Sequence, residues 1–336
     1  MRRESGIGPV GGMCETDPVM SRSCFDRTGL TWSVLLSAVV SVVFVAALSG
    51  CASAGSQAPQ QTSAERPGHV HKVDAPAGPL GVYVALGSSY ASGPDHTRIS
   101  NNPCLRTPDN YPNQVAKALR MRLIDASCSG ATTANIVDVA QRSGGRPQVD
   151  AVTPDTALVT ITSGGNDINY IGRLLAMSCA DVIHRVHPVV AQLTQTCSGR
   201  PIPAPPSAAA YDVVRRELVD AVRVVRSRAP GAKVLIVDYP PALVAGEKSC
   251  ARLPLTVEQA AQTVEIFDKL ADATATAAQQ SGAQLVRASV AGAAHTVCSA
   301  DPWLGGFAPP IPYHPNARGK SGVARLVVDE LGGPVN

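Results

Sequence analysis

The stretch VALGSSYASG, residues 84–93, places two adjacent serines directly after a short apolar run that begins at Val82. A short apolar run bounded by turn residues is typical of a buried parallel strand. Runs of this kind recur along the chain with longer helical patterns between them, which predicts an α/β fold: three layers, α/β/α, around a central parallel five-stranded sheet. The predicted strands are Val82–Leu86, Arg122–Asp125, Ala157–Thr162, Lys233–Asp238 and Gln284–Arg287.

Helical patterns separate these strands, and two insertions interrupt the alternation. The predicted helices are Tyr111–Arg120, Ala208–Ser227, Thr256–Gln280 and Arg318–Leu331; the insertions are Cys179–Pro206 and Ala288–Pro312. In an open parallel sheet, ligands bind beyond the carboxyl ends of the strands. We therefore expect the functional residues at those ends, beginning with the two serines after the first strand.

Composition argues against a nucleic-acid partner. The 336 residues carry a net charge of +3 without a basic block, and aromatic residues make up only 4% of the chain. Binding to nucleic acid needs a basic surface, and single strands also need aromatic stacking platforms.

The amino end is typical of an export signal. An uncharged apolar run, Thr31–Leu48, follows two arginines, which is the order found in signal peptides. The run ends in Leu48-Ser49-Gly50-Cys51, which resembles a bacterial lipoprotein cleavage box and implies lipidation of Cys51. We predict a leader (1–50), a lipidated cysteine with a flexible tether (51–80), and a folded domain (81–336). An uncleaved membrane anchor is the alternative reading of the run.

The remaining cysteines also favour an exported protein. Six lie in the predicted domain: Cys104, Cys128, Cys179, Cys197, Cys250 and Cys298. An even number in an exported chain predicts three disulfides, for which fifteen pairings exist and the pairing of sequence neighbours is the simplest. Their spacing does not suggest a zinc site, so we expect no metal.

Chemically active groups follow several predicted strands. Ser88 and Ser89 follow the first, Gly130 follows the second, Asn166 follows the third, and His314 precedes the last helix. A serine hydroxyl is a weak nucleophile without a base to take its proton and donors to hold an oxyanion. These four chain segments offer a hydroxyl, a backbone N–H, an amide and an imidazole, which together meet those needs.

The four segments resemble the conserved blocks of the SGNH, or GDSL-type, hydrolase family, and most closely its secreted actinobacterial lipase/esterase branch. The matching blocks are VALGSSYASG, SCSGATT, ITSGGNDI and YHPNARG. The resemblance implies a flavodoxin-like fold, Ser89 as nucleophile and His314 as base. It also implies an oxyanion hole made by the backbone N–H groups of Ser89 and Gly130 and the side chain of Asn166.

Two positions depart from the family pattern. Ser88 stands where the family usually has aspartate, and Ile311 stands where many members have the aspartate that orients the histidine. Some members of the branch use a backbone carbonyl instead, which implies the Ile311 carbonyl here and a Ser–His dyad. Asp301 is a second candidate for that role.

The sequence therefore predicts a monomeric, extracytoplasmic serine ester hydrolase, lipid-anchored to the membrane or secreted, acting on a small-molecule or lipid ester through an acyl-serine intermediate without a cofactor. Two alternatives remain open at this point. One is an acyltransferase that acts on envelope glycans. The other is a non-catalytic envelope-binding protein whose site has degenerated at Ser88.

Overall fold

A computed structural model describes residues 80–97, 100–141, 145–185, 197 and 201–333. The chain divides between Val70 and His71, and all of these residues belong to the second part. The predicted leader, the lipidation site Cys51 and nearly all of the tether lie outside the described residues.

The strands are β1 (Val82–Gly87), β2 (Arg122–Asp125), β3 (Thr156–Thr162), β4 (Lys233–Val237) and β5 (Gln284–Val286). The helices are α1 (Ser89–Ser92), α2 (Tyr111–Ala118), α3 (Ala134–Val137), α4 (Tyr170–Arg185), α5 (Ala208–Arg228), α6 (Val257–Ser281), α7 (Ala288–Ala291) and α8 (Ala317–Glu330).

The five strands form one parallel sheet in the order β2-β1-β3-β4-β5. In this order the chain passes from β1 to β2 on one side, and then from β2 back across β1 to β3 on the other side. The carboxyl ends of β1 and β3 thus lie side by side at the point where the strand order reverses, which is where such folds place their sites. The predicted fold class is confirmed.

Alternating side chains of the strands bury the two faces of the sheet. Val82, Val84 and Leu86 of β1 belong to the larger core cluster, which includes buried residues of α4, α5 and α6. Tyr83 and Ala85 belong to the second cluster, together with buried residues of α2 and α8. Side chains of a strand alternate between faces, so a continuous apolar run is what a sheet covered on both sides requires.

Helix α4 was not predicted from the sequence, although its pattern is visible there. Tyr170, Leu174 and Met177 are buried and recur at spacings of four and three residues, as on one face of a helix. The predicted first insertion therefore begins inside α4. Thr256 caps the start of helix α6, as predicted, and its side chain forms a capping box with Gln259.

Three disulfides join the cysteines that are neighbours in sequence, namely Cys104–Cys128, Cys179–Cys197 and Cys250–Cys298. The first ties the loop after α1 to the loop after β2. Within the part of the chain that the structure describes, no helix is both long and apolar enough to cross a membrane.

Candidate active site

The turn after β1 places Ser89 at the carboxyl edge of the sheet. Gly87 ends β1 with a φ of 143°, and a Cβ at that position would lie 2.4 Å from the carbonyl oxygen of Thr162 in β3. Only glycine allows this close approach of the two strands. The chain then turns at Ser88 into the single-turn helix α1, so Ser89 is the first helical residue.

The hydroxyl of Ser89 lies next to the imidazole of His314. The distance from Nε2 of His314 to Oγ of Ser89 is 2.8 Å, although the two residues are 225 positions apart in sequence. This distance lies within the range for a nucleophile and its general base. The structure thus brings together the predicted nucleophile and the predicted base.

The other ring nitrogen of His314 contacts a backbone carbonyl, but not the predicted one. Nδ1 lies 2.8 Å from the carbonyl oxygen of Pro312, so the assignment to Ile311 was wrong by one residue. The reason is the conformation of Tyr313, whose φ of 61° is left-handed and turns the chain back so that residue 312 faces the ring of residue 314. Such a φ is uncommon for a residue with a large side chain.

Neighbouring side chains hold Tyr313 in that conformation. The hydroxyl of Tyr90, the residue after Ser89, donates to the Tyr313 carbonyl at 2.7 Å. The hydroxyl of Tyr313 lies 2.5 Å from that of Ser178 in α4, and the side chain is fully buried. Strained backbone persists where the surroundings fix it and is frequent at active sites.

Asp301, the second candidate for orienting the histidine, is engaged elsewhere. Its carboxylate pairs with Arg318 and lies 3.6 Å from Nδ1 of His295. The ring of His295 stacks on Trp303 at 4.6 Å between centroids. Asp301 thus belongs to a neighbouring cluster, whereas the Pro312 carbonyl contacts Nδ1 of His314 directly.

Burial lowers the pKa of the His314 imidazole below its ordinary value, whereas the hydrogen bond to Pro312 and the charge of Asp95 raise it, and the charge of Lys320 lowers it. The net direction is downward. An imidazole with a lowered pKa is neutral at neutral pH, which is the form that can take the proton of a serine hydroxyl.

Gly130 lies in a tight turn after β2. Ala131 N–H donates to the Cys128 carbonyl at 3.0 Å, which closes a β-turn with Gly130 at its third position and a φ of 83°. A type II turn needs a left-handed residue there. The N–H of that residue takes no part in the bond that closes the turn, so it is suited to contact a ligand.

Asn166 is positioned by the same loop. Its side-chain nitrogen donates to the carbonyl oxygen of Ala131 at 2.7 Å, and a carboxamide nitrogen carries two hydrogens. One hydrogen fixes the side chain to the Gly130 turn and the second is suited to an oxyanion. The N–H of Ser89, in the first turn of α1, has no acceptor within its own helix.

A polar cluster next to the turns of Gly130 and Asn166 joins three elements. Thr133, just before α3, donates its N–H to both carboxylate oxygens of Asp167 at 3.1 Å, and its hydroxyl lies 2.5 Å from Oδ1. The same hydroxyl contacts Glu217 of α5. Burial raises the pKa of Asp167. Asp167 follows Asn166 directly, so this cluster holds the turns that carry Gly130 and Asn166 together.

The unusual Ser88 is buried and makes one long contact. Its hydroxyl lies 3.4 Å from the hydroxyl of Tyr239, which in turn accepts the N–H of Gly165 at 3.2 Å. Tyr239 thus joins the turn after β1 to the turn after β3, across the reversal in strand order. It follows β4, and no sequence signal distinguished it from a core tyrosine.

A search of protein families places the chain. Residues 85–321 match the sequence model of the GDSL-like Lipase/Acylhydrolase family, which is more than half of the 336 residues. The chain belongs to this family. Membership, predicted from the four sequence blocks, is thereby confirmed, and the chain is a carboxylic ester hydrolase.

Similar proteins agree with this assignment. Lipase 2 of Streptomyces coelicolor is 34% identical over 279 residues, covering 78% of this chain and 90% of that protein. An extracellular lipase from Streptomyces rimosus has a similar structure, with a TM-score of 0.57 and 25% identity over 74% of this chain and 99% of that one. The structure of phospholipase A1 from Streptomyces albidoflavus is also similar, with a TM-score of 0.56 and 25% identity over 76% of this chain and 99% of that one.

Several residues of the site region were not predicted from sequence. Tyr90, Thr133 and Tyr239 contribute polar contacts from positions that also suit core residues. Trp303, within the second predicted insertion, packs against Gly319 and Gly322 of α8 and is buried. Its place is therefore between the long loop and α8.

Proposed function

We propose that the ester hydrolase works through an acyl-Ser89 intermediate with His314 as the general base. Oγ of Ser89 attacks the ester carbonyl carbon while Nε2 of His314 takes the hydroxyl proton. The tetrahedral intermediate collapses, the bond from carbon to the alcohol oxygen breaks, and His314 returns the proton to the leaving alcohol. Water, deprotonated by His314, then attacks the acyl-serine and releases the carboxylic acid.

The observation that carries this mechanism is the 2.8 Å contact between Nε2 of His314 and Oγ of Ser89. The contact at the opposite ring nitrogen supports it, since the Pro312 carbonyl accepts from Nδ1. A carboxylate is not needed for this orienting role, because a carbonyl oxygen also fixes the tautomer. The pair is then a Ser–His dyad.

The oxyanion hole in this proposal consists of the N–H groups of Ser89 and Gly130 and the amide of Asn166. All three follow strands at the carboxyl edge, and the Asn166 side chain is already fixed by Ala131. Donors that are fixed before the reaction stabilise the transition state without reorganisation, and one such donor contributes about 100- to 1,000-fold in rate.

Steady-state hydrolysis of a p-nitrophenyl ester by the purified, disulfide-intact full chain tests the mechanism. Ser89→Ala and His314→Ala should each lower kcat by at least about 10,000-fold, as the loss of nucleophile or base does elsewhere. Ser88→Ala is the matched control, because it removes the adjacent hydroxyl, and it should retain most of the activity. A Ser89→Ala enzyme with wild-type kcat would contradict the proposal.

We further propose that the enzyme is exported, lipidated at Cys51 and monomeric. The apolar run Thr31–Leu48 followed by Leu48-Ser49-Gly50-Cys51 supports export, and three disulfides fit an oxidising compartment. A similar lipase from Streptomyces rimosus is described as extracellular. Mass analysis of the mature amino terminus tests lipidation, with Cys51→Ala as the control that should lose the lipid. Sedimentation analysis tests the monomer.

A further inference from the structure

A buried ion pair lies near the proposed dyad. Nζ of Lys320 in α8 is 2.6 Å from Oδ2 of Asp95, and the side chains are only 1% and 4% exposed. Asp109 approaches the same ammonium at 3.3 Å. Lysine and aspartate are rarely buried to this degree unless they are paired. The sequence offered no sign of this pair, because a lysine within a helix usually faces solvent.

The pair joins the same two chain segments as the dyad. Ser89 and His314 are 225 positions apart, and so are Asp95 and Lys320. One segment carries the nucleophile and then Asp95, and the other carries the histidine and then Lys320. Asp95 is itself fixed, because its Oδ1 accepts from the N–H and the hydroxyl of Thr97.

We propose that the ion pair between Asp95 and Lys320 is a positioning device that holds Ser89 against His314 for proton transfer. This inference rests on the proposed dyad, and it adds a contact that helps to set the distance between Ser89 and His314. His314 is oriented within its own loop by Pro312, which does not fix the distance to the nucleophile segment. The hydrogen bond from the Tyr90 hydroxyl to the Tyr313 carbonyl also joins the two segments, and the ion pair adds a second constraint between them.

Energetics favour this role. Removal of one partner breaks a buried pair and is strongly destabilising, so the two segments would move to accommodate the charge that remains, even where Asp109 still contacts Lys320. Here such movement would separate the segment of Ser89 from that of His314. A displacement of about 1 Å between reacting groups can cost about 100-fold in rate, so a small shift would be visible in kcat.

The charged and titratable groups facing His314 come from three elements. Tyr90 of α1 places its ring 5.5 Å from the imidazole. Asp95 and His96 come from the following loop, where His96 lies against Gly305, whose N–H donates to the His314 carbonyl. Lys320 comes from α8. The charge of Asp95 raises the pKa of His314 and that of Lys320 lowers it. Removal of Asp95 should therefore lower the pKa of His314, and removal of Lys320 should raise it.

The experiment measures kcat, KM and the acid limb of the kcat/KM profile for Asp95→Asn, Lys320→Met and the double variant, with circular dichroism to verify folding. We expect each single variant to lose about 10- to 100-fold in kcat with little change in KM. The acid limb should move to lower pH in Asp95→Asn and to higher pH in Lys320→Met.

The double variant removes both charges and should return the limb to its wild-type position, while kcat stays about tenfold below wild type because the constraint is lost. Lys269→Met is the matched control. Its ammonium contacts Glu265 at the same 2.6 Å, but the pair is exposed on α6, so neither kcat nor the limb should change.

Wild-type kcat in a folded double variant would overturn the inference, as would single variants whose limbs stay in place or move in the same direction. A double variant that fails to fold would also contradict it, because the pair would then serve folding. Failure of the proposed dyad is recognised separately, since a Ser89→Ala enzyme would then keep the wild-type activity.

Discussion

Nδ1 of His314 lies 2.8 Å from the carbonyl oxygen of Pro312. A carbonyl oxygen only accepts hydrogen bonds, so in the neutral imidazole Nδ1 carries the hydrogen and Nε2 keeps its lone pair. That lone pair faces the hydroxyl of Ser89. The backbone thus selects the tautomer that the proposed general base requires.

The pH dependence of kcat/KM should show this base. Burial lowers the pKa of His314, and only the neutral ring accepts a proton, so activity should persist below the ordinary imidazole pKa of about 6.5 before it falls. The pH profile of kcat/KM, recorded with an uncharged ester, gives the midpoint of this fall in activity, which is the acid limb of the profile. His295→Gln removes the histidine stacked on Trp303 and should leave the limb in place. A midpoint above 6.5 in the wild type would contradict the direction of the shift.

Loss of the Asn166 amide should affect the chemical step rather than binding. We expect Asn166→Ala to lower kcat by about 100- to 1,000-fold with little change in KM, as for one oxyanion donor. Asn113→Ala provides a control amide on α2, where the side chain donates to the Thr107 carbonyl and to Oδ1 of Asn110. An Asn166→Ala enzyme with normal kcat would remove Asn166 from the oxyanion hole.

The cluster around Thr133 should contribute to both stability and rate. Thr133→Val keeps the shape but removes the hydroxyl that contacts Asp167 and Glu217. We expect the free energy of unfolding to fall by about 1–3 kcal/mol, as for buried polar groups that lose a partner, and kcat to fall several-fold. Thr132→Val is the matched control, since its hydroxyl contacts the nearby Asn135 at 3.1 Å. Equal melting curves for the two variants would argue against the cluster.

Asp238 should make stability depend on pH. Burial raises its pKa to about 6, against hydrogen bonds from Ser289 that lower it. A carboxyl that holds its proton more tightly when folded stabilises the fold below its unfolded pKa and loses that contribution as pH rises through about 6.

Denaturant unfolding at several pH values tests this sign. The free energy of unfolding of the wild type, relative to Asp238→Asn, should decrease by about 2–3 kcal/mol between pH 4 and pH 7. An increase over that interval would contradict the expected sign. Asp220→Asn, at an ion pair with Arg223 in which both side chains are exposed, serves as the control.

Much of this site was predictable because it lies at the ends of strands. Ser89, Gly130 and Asn166 each follow a short apolar run, and parallel strands bring their carboxyl ends to one edge. Two features were not predictable. The use of Pro312 in place of Ile311 depends on the left-handed φ of Tyr313, which a tyrosine in a sequence does not indicate.

The second unpredicted feature is the buried pair of Asp95 and Lys320. Its two members are 225 positions apart, and each is of a residue type that is usually exposed on the surface. Periodicity indicates which apolar positions face the core, but it does not identify a charge that is buried because a distant charge compensates it. The structure was required to bring the two together.

The central claim is that Ser89 is a nucleophile activated by His314, and covalent labelling tests it most directly. The disulfide-intact full chain is treated with a fluorophosphonate, and the adduct is located by peptide mass. We expect one adduct, on Ser89. It should not form in Ser89→Ala, in His314→Ala, or on a chain that was denatured before treatment. An adduct on Ser88, or equal labelling of the denatured chain and the His314→Ala variant, would contradict the account.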